Sequence, residues 1–358
     1  MQERISKKQL VALFSSYLIG TTTIAFSSTF AGRASWIALV IAASFGMGAL
    51  WLWSKVALSW QEPLIDGLVR RLGNFWGSII SLCYLFYFLI LASLILSNIS
   101  AITIIAFMPE TPPVVIKGAF LFTVLLATRG GIECLGRLAE LLFPSLLVVT
   151  VLSGVLVLST PDLIRWDYLL PLFDIQWRKL FQASWATFAF PFGETVLFSS
   201  ILPLTTDAKA GRRYLFLSHI AVALIFVCDS LLQIAVFGSD IQQTVFPGLS
   251  LVRGIRVANF LTRLEGASVF VWGFGAFLKL GICCWNIAAG LMQLFKLSHY
   301  RPLLFPLGLV ICTISLNLFT NYNKTAVFGQ FIYPILSLPF QVLFPLVLYL
   351  LSLKTTKP

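Results

Sequence analysis

One apolar stretch contains three residues that a membrane-spanning helix normally avoids near its centre. In ATFAFPFGETVLFSS, residues 186–200, Pro191, Gly193 and Glu194 lie within four positions. Proline removes a backbone N–H donor and clashes with the preceding turn, and glycine permits angles that other residues avoid. The pattern predicts an unwound helix whose free N–H groups can bind a carboxylate and whose free carbonyls can bind an ammonium. Glu194 itself could cap those N–H groups, accept a cation or receive a proton.

A second polar interruption lies in the first apolar span, LVALFSSYLIGTTTIAFSSTF. Near the centre of this span, Gly20 is followed by Thr21, Thr22 and Thr23. The threonine hydroxyls either take part in a second break or only bond back to helix carbonyls, as threonine does in many helices. A break at mid-membrane is tolerated only where it is buried in protein or lines a cavity. The presence of two interruptions favours a functional interpretation of both.

Three further polar side chains lie deep within apolar spans. Lys279, in GFGAFLKLGICCW, is too far from either end of its span to reach the interface. An ionisable group at this depth is costly and by default indicates function, so we predict an internal cation or proton site at Lys279. Asp229 is a second candidate for such a site, paired with a basic group that the sequence does not identify. Tyr87 either lines the same cavity or packs as a core aromatic.

The elements that position these residues are membrane-spanning helices. Of the 358 residues, 58% are hydrophobic and 11% are charged, whereas a soluble protein has about 25% charged residues. Apolar runs of about 20 residues, long enough to cross the bilayer, recur along the whole chain. The ten predicted spans are residues 9–29, 35–56, 77–107, 113–128, 138–158, 182–203, 214–237, 267–294, 302–320 and 332–353. Lys and Arg are enriched in the loops that lie inside if both termini are cytoplasmic, which predicts that orientation.

The two interrupted spans are the first and the sixth, nearly half the chain apart. Five spans begin with each of them, approximately residues 9–158 and 182–353. Because an odd number of spans inverts the second half relative to the first, the sequence predicts a five-plus-five inverted repeat. The expected fold class is an all-α integral membrane protein with about ten transmembrane helices, broken in helices 1 and 6. Residues 1–358 would form a single membrane domain.

Enzymatic and metal chemistry have no support in the sequence. Patterns such as H-E-x-x-H, Walker A and G-x-S-x-G do not occur. His219 and His299 are too few and too far apart for a metal site, and the six cysteines are interpreted as small apolar packing residues. No metal, no cofactor and no enzymatic activity is expected. The net charge of +11 needs no nucleic-acid partner, since anionic lipid of the inner leaflet explains it.

The linker between the seventh and eighth spans, residues 238–266, is long and basic. It contains Arg253, Arg256 and Arg263. Its apolar residues recur at mixed helical spacing, which predicts a short helix near the outer mouth; they are Leu249, Val252, Ile255 and Phe260. Three interpretations remain open for this helix. It is an ordinary surface helix, a lid over the pocket or a docking surface for an outer partner.

Several motifs together resemble one transporter-like family. AFPFGETVLFSSILP (189–203), GGIECLGRLAELLFP (130–144) and NFLTRLEGASVFVWGFGAFLK (259–279) are similar to the patterns of the B subunits of bacterial spore germinant receptors, the GerAB/GerKB family. The opening ISKKQLVALFSSYLIGTTTIAF also fits that family. The inverted halves with two broken spans resemble the amino acid/polyamine/organocation transporter superfamily, whose fold is LeuT-like. The resemblance covers nearly the whole chain.

The resemblance implies a subunit of a nutrient receptor in the inner membrane of the dormant spore. Its partners would be a larger A subunit, a lipoprotein C subunit, membrane lipids and a small nutrient ligand such as an amino acid or a sugar. Carried onto this sequence, the pocket consists of two facing segments and a wall from span 3. These residues are Gly20, Thr21, Thr22 and Thr23, facing Phe190, Pro191, Phe192, Gly193 and Glu194, with Tyr87 and Leu91 as the wall.

Two alternatives to the receptor remain, an amino-acid permease that uses the same pocket for net transport and a scaffold subunit that binds no nutrient. The resemblance also has a consequence for ions. In sodium-coupled members of the superfamily, a sodium ion lies between spans 1 and 8. Lys279 on span 8 would place an ammonium there, so we expect sodium-independent operation in which Lys279, with Glu194, responds to protons instead.

Overall fold

The computed structural model describes residues 3–22, 27–160, 162–171, 175–255, 265–319 and 321–355. Within these ranges the chain is almost entirely helical, and the β-pairing is an isolated parallel bridge between Ile5 and Thr205. The all-α prediction is therefore confirmed for the described part of the chain. The side chain of Thr21, and the whole of Thr23, lie outside the description.

The first half of the chain begins with a 16-residue helix and continues through four longer ones. Its helices are α1 (Lys7–Thr22), a 3₁₀ helix (Ser27–Ala34), α2 (Ser35–Trp60), α3 (Leu64–Ala106), α4 (Pro113–Arg129) and α5 (Gly131–Ser159). Their positions agree with the first five predicted spans, except that α3 begins well before the predicted span. Gly73, at φ 77°, separates this additional segment from the rest of α3, and a positive φ of this kind favours glycine.

The second half contains the interrupted sixth span and a segmented last span. Its helices are α6 (Trp177–Thr187), a π turn (Phe188–Phe192), a 3₁₀ helix (Gly193–Ser199), α7 (Ala208–Phe237), α8 (Pro247–Arg253), α9 (Glu265–Leu294), α10 (Leu304–Leu318), α11 (Tyr322–Val327), α12 (Tyr333–Leu338) and α13 (Phe344–Thr355). Two further π turns, Phe328–Ile332 and Pro339–Leu343, join α11, α12 and α13. Pro339 lies in the second of these turns.

Among the described residues, seven helical segments are long and apolar enough to cross a membrane. They are Ser27–Trp60, Leu64–Ala106, Gly131–Ser159, Ala208–Gln242, Val271–Leu294, Arg301–Leu318 and Tyr322–Leu353. The other three predicted spans correspond to α1, α4 and the interrupted α6, which have 16, 17 and 11 residues. The protein is thus a multi-pass membrane protein, and the count of ten spans stays a prediction.

Helix α9 forms the centre of the bundle and packs against α1, α3, α4 and α5. Most of its apolar length is buried, including the run from Leu278 to Ala288. It crosses α1 where Gly20 faces Gly275, and a Cβ at either position would overlap the backbone of the other glycine. Such close crossings are typical of small residues in membrane helices. This contact holds Lys279, one turn further along α9, near the middle of α1.

The predicted helix in the long linker is present as α8. Leu251, Val252 and Ile255 pack against Val157 of α5 in a small separate core. Residues immediately before and at the start of α8, including Phe246 and Pro247, line a cavity described below. Arg256, Phe260 and Arg263 of the same linker lie outside the described residues.

Candidate functional site

The interruption of the sixth span lies where the sequence predicts it. Phe190 has φ −139° and ψ 113°, which is extended rather than helical backbone. A residue that precedes proline is pushed out of the α region by the proline ring, and Pro191 follows here. The chain resumes as a 3₁₀ helix at Gly193. The predicted break in helix 6 is therefore present, and it releases backbone groups from the regular helical pattern.

Gln341, from the segmented last span, fills this break. Its Nε2 atom donates to the carbonyl of Ala189 at 2.8 Å and to the hydroxyl of Tyr87 at 2.8 Å. A carbonyl freed by the break is thus satisfied by a side chain, as a buried backbone group requires. A Cβ at Gly193 would overlap the Gln341 side chain. Glycine at this position therefore allows the amide to reach the broken backbone.

Glu194 and Lys279 form an ion pair at the same place. The Glu194 Oε2 and Lys279 Nζ atoms are 2.6 Å apart, and both side chains are 0% exposed. The Lys279 ammonium also lies 3.8 Å from the ring centroid of Phe190 and 4.8 Å from that of Tyr17, within the range of cation–π attraction. A buried pair of this kind persists only with good geometry and additional hydrogen bonds.

Two buried tyrosines supply those hydrogen bonds, and a third contacts one of the two. Tyr333 donates to Glu194 Oε1 at 2.7 Å, and Tyr17 donates to Glu194 Oε2 at 3.4 Å. The hydroxyls of Tyr87 and Tyr333 are 3.0 Å apart. The contacts that the structure gives for the carboxylate are thus with side chains of α1, α9 and α12, not with N–H groups of its own helix. We refer to these six residues as the Glu194 cluster: Glu194, Lys279, Tyr17, Tyr87, Tyr333 and Gln341.

A cavity of about 390 Å³ opens toward one face of the bundle and ends next to this cluster. Its lining includes Phe190, which contacts Lys279, and Tyr333, which is itself a member of the cluster. Its walls contain amide and aromatic side chains, among them Asn98, Gln242, Gln330, Phe30, Trp272 and Tyr322. The described lining residues include no Asp, Glu, Lys or Arg. The cavity lies on the side of the long linker, which the predicted orientation places outside the cell.

On the opposite face of the bundle, hydrogen bonds hold the N-terminal segment in place. Glu3 accepts hydrogen bonds from the Tyr300 hydroxyl at 2.7 Å, the Trp285 indole N–H at 3.0 Å and the backbone N–H of Ile132 at 3.3 Å. Burial, and then the hydrogen bond to Glu3, raises the pKa of Tyr300 above its ordinary value. Ile5 adds backbone hydrogen bonds to the segment around Thr205. These contacts hold the N-terminal segment against the bundle, beside a second cavity of about 910 Å³ that Glu3 and Arg4 also line.

Of the residues predicted in span 1, the structure does not bring Gly20 or Thr22 into the Glu194 cluster. Gly20, Thr21 and Thr22 are all within helix α1, so the break predicted for Gly20 to Thr23 begins no earlier than the end of that helix. The Thr22 hydroxyl donates to the carbonyl of Leu18 at 2.7 Å. Thr22 thus bonds back to its own helix, which is one of the two roles that the sequence left open for it. Gly20 serves the close crossing with α9. Thr23 lies outside the described residues.

The other predicted residues have varied surroundings. Leu91 is buried in the main core, and it is not among the described lining of the cavity. Phe192 packs against the ring of His219, with ring centroids 5.0 Å apart. Asp229 accepts a hydrogen bond at 2.9 Å from Gln233, one turn along α7, rather than pairing with a basic group. Within the described ranges no group of three His, Cys, Asp or Glu side chains could hold a metal ion.

Three members of the Glu194 cluster were not singled out from the sequence. Tyr17, Tyr333 and Gln341 are each fully buried in the structure. A signal exists only for Gln341, which is a polar amide in the apolar run LPFQVLFP. Tyrosine also packs as an ordinary core aromatic, so the type of residue at positions 17 and 333 does not distinguish a site from packing.

The fold of the chain is that of known transporters. The structure of MhsT in complex with L-phenylalanine superposes with a TM-score of 0.69, covering 99% of this chain and 96% of that one at 14% identity. Mhp1, a nucleobase-cation-symport-1 family transporter solved in a closed conformation with bromovinylhydantoin bound, gives a TM-score of 0.61. That match covers 97% of this chain and 78% of Mhp1 at 12% identity. At these identities the likeness establishes the fold alone.

The sequence comparisons place this transporter-like membrane protein in a family. A family model described as spore germination protein matches residues 4–324. Spore germination protein KB of Bacillus subtilis (strain 168) is 27% identical over 356 residues, which cover 98% of this chain and 94% of that protein. The chain therefore belongs to the spore germination protein family, as the motifs of the sequence indicate.

Proposed function

We propose that the protein is the membrane B subunit of a nutrient germinant receptor, which binds a small nutrient next to the Glu194 cluster and thereby triggers germination. The observation that carries the proposal is the cavity of about 390 Å³, which ends at the broken helix above a buried ion pair. A buried ionisable pair in a membrane protein is costly, and by default it indicates a functional site. Membership of the spore germination family supplies the biological context.

The proposed ligand is an amino acid or a sugar. Small-molecule sites are concave, mostly apolar and supplied with a few well-placed polar groups. The cavity fits this description, because amides such as Gln242 and Gln330 alternate with aromatic rings such as Trp272. The broken segment, from Phe190 to Glu194, would contact the ligand at the deep end of the cavity.

We further propose the membrane arrangement that the sequence predicts. The ten spans would form two inverted repeats, approximately residues 9–158 and 182–353, in a single membrane domain with both termini in the cytoplasm. The transporter fold of the chain is consistent with this arrangement, since inverted repeats are common among such transporters. The protein would reside in the spore inner membrane.

The proposed partners are the A subunit and the lipoprotein C subunit of the receptor. Ligand binding would shift the broken helix relative to α9, and the partners would detect that shift. No net transport is required for this role. Membrane lipids surround the bundle, and neither nucleic acid nor a cofactor has a role in the proposal.

The proposed receptor operates without sodium. Lys279 already places an ammonium between α1 and the broken helix, 4.8 Å from the ring of Tyr17 and 2.6 Å from Glu194. A second cation at the same position would be repelled by this charge. Ligand-induced stabilisation of the purified protein should therefore be the same in sodium and potassium at constant ionic strength. A steep rise with sodium would contradict this part of the proposal.

A permease is the second candidate function. The observation in its favour is that the transporter fold covers nearly the whole chain, 99% of it in the comparison with MhsT. A permease would use the same cavity but would also release its ligand on the opposite face, where Glu3 holds the N-terminal segment. Uptake of labelled amino acid by vesicles that contain the purified protein distinguishes the two functions.

The receptor is tested by deleting the gene and following dipicolinate release from dormant spores after addition of single amino acids or sugars. Wild-type protein should restore a lost response, and Glu194→Gln should not. Glu140→Gln, an exposed carboxylate on α5, is the matched control and should restore it. A deletion strain that responds normally to every nutrient would contradict the receptor function. A normal response with Gly193→Trp, which fills the broken segment, would instead favour a scaffold.

A further inference from the structure

The ion pair of the Glu194 cluster is electrically neutral as a unit, and both of its charges are sequestered from water. The Glu194 and Lys279 side chains are each 0% exposed and 2.6 Å apart. Removing either charge alone would leave the other one buried without a counter-charge, which is strongly unfavourable. Any ligand that enters this site must therefore leave both charges balanced.

Only a thin layer of side chains separates the pair from the cavity. Phe190 and Tyr333 line the cavity, and each also contacts the pair directly. The Phe190 ring centroid lies 3.8 Å from the Lys279 ammonium, and the Tyr333 hydroxyl lies 2.7 Å from the Glu194 carboxylate. A rotation of these two side chains would join the cavity to the ion pair. A ligand in the cavity would then meet a carboxylate and an ammonium side by side.

Elsewhere in the cavity, the described lining residues carry no charge that could balance a charged ligand. Its described lining consists of amide, hydroxyl, aromatic and aliphatic groups. Neutral groups of this kind hydrogen-bond a ligand but do not neutralise it. The Glu194–Lys279 pair is thus the source of charge recognition that the described part of the site offers.

We propose that the site selects zwitterionic, net-neutral ligands by exchange of partners within this ion pair. This inference rests on the proposed nutrient-binding function and extends it. The ligand ammonium takes the place of Lys279 at Glu194, and the ligand carboxylate takes the place of Glu194 at Lys279. Two buried charges become four, and every one of them remains paired.

The exchange also explains how binding would be converted into movement. Glu194 belongs to the broken segment and Lys279 belongs to α9, so that a ligand between them must separate these two elements. Tyr17 and Tyr333 can continue to donate to the carboxylate, because they approach it from α1 and α12. In the unliganded protein the lysine acts as an internal substitute for the ligand ammonium and keeps the broken segment close to α9.

Selection by the net charge of the ligand follows, because every buried charge in the site must be paired with an opposite charge. A cationic or anionic ligand would add one unpaired charge to a sequestered site, and we expect its binding to be at least about 100-fold weaker than that of the corresponding zwitterion. A sugar has no charges with which to replace either partner. It would have to leave the pair closed, and thus would not separate the broken segment from α9.

The test uses the purified full-length protein in detergent and measures ligand-induced shifts of its thermal unfolding. The probes are L-alanine, L-valine, L-asparagine and L-phenylalanine, with L-lysine, L-glutamate and D-glucose for comparison. The strongest neutral amino acid is then compared with its amide, a cation, and with its N-acetyl form, an anion. We expect the neutral amino acid to stabilise the protein. The amide and the N-acetyl form should need at least about 100-fold higher concentrations to produce the same shift in unfolding temperature. Equal potency of the three forms would overturn the proposal.

Two lysine variants sharpen the test. In Lys279→Met the remaining Glu194 carboxylate lacks a counter-charge, so the cationic amide should now bind more tightly than the zwitterion. Lys117→Met is the matched control, since Lys117 is also buried but donates to the carbonyl of Ser315, away from the cluster. This control should keep the wild-type preference. Should Lys279→Met not fold, the comparison of the three ligand forms on the wild-type protein still decides the question.

The outcomes separate this inference from the proposed function. Stabilisation by glucose and not by amino acids, together with loss of germination in the deletion strain, would support a nutrient receptor and overturn the zwitterion exchange. Stabilisation by L-lysine or L-glutamate as strong as that by neutral amino acids would also overturn it. If no nutrient stabilises the protein and the deletion strain germinates normally, both the inference and the proposed function are wrong.

Discussion

Replacing either member of the buried ion pair should destabilise the protein far more than replacing both. At 2.6 Å and an effective dielectric constant of about 20, the attraction between the two charges is about 6 kcal/mol, much of which offsets the cost of desolvating them. Loss of one partner leaves a buried uncompensated charge, so Lys279→Met or Glu194→Gln alone should lower the free energy of unfolding by about 3–5 kcal/mol. The double variant has no charge to compensate and should recover most of that loss.

The measurement is unfolding of the purified full-length protein in mixed micelles with increasing sodium dodecyl sulfate, followed by tryptophan fluorescence. The wild type, the two single variants and the double variant form a double-mutant cycle, which isolates the interaction between the two residues. Lys117→Met serves as the control for loss of a buried lysine outside the cluster. A double variant whose loss equals the sum of the two single losses would show that the charges are not coupled, and would refute this reasoning.

Three other changes probe the elements that hold the site together. Gln341→Leu removes the donor to the Ala189 carbonyl, so the free energy of unfolding in the same assay should fall by about 1–3 kcal/mol; an unchanged value would mean that water replaces the amide. Gly275→Leu forces α9 away from Gly20 and should lower that free energy by at least about 1–3 kcal/mol, whereas full stability would show that the crossing is loose. Glu3→Ala removes the acceptor of three hydrogen bonds, and hydrogen–deuterium exchange in the N-terminal segment should become faster; unchanged exchange would show that Glu3 does not hold this segment in place.

Part of the site could be predicted from the sequence because its signals are local. Pro191 and Gly193 disturb a helix through their own backbone properties, and Glu194 is conspicuous because a carboxylate is expensive in an apolar span. The same argument identified Lys279 as a site for charge. It did not identify Lys279 as the partner of Glu194, because pairing depends on how the broken segment approaches α9.

The sequence did not decide the role of a residue whose type has several possible roles. Gly20 was interpreted as the start of a break, but it serves the close crossing with Gly275, and no local feature separates these two uses of glycine. Thr22 bonds back to its own helix. Asp229 is a carboxylate near the middle of a predicted span, yet it accepts its hydrogen bond from Gln233 on the same helix. Each outcome depends on which neighbour lies opposite the residue.

The sequence by itself determined that the chain is an α-helical membrane protein, where its helices lie, that the sixth span is broken and to which family the chain belongs. These properties follow from composition, from the length of apolar runs and from short motifs, all of which act over a few tens of residues. The tertiary structure alone decided that Glu194 meets Lys279 and that Tyr17, Tyr87, Tyr333 and Gln341 surround the pair. It also decided that a cavity whose described lining carries no charged side chain ends beside it. Those residues come from distant parts of the chain, and they meet because the packing of α1, α3, α9 and α12 around the broken segment brings them to one point.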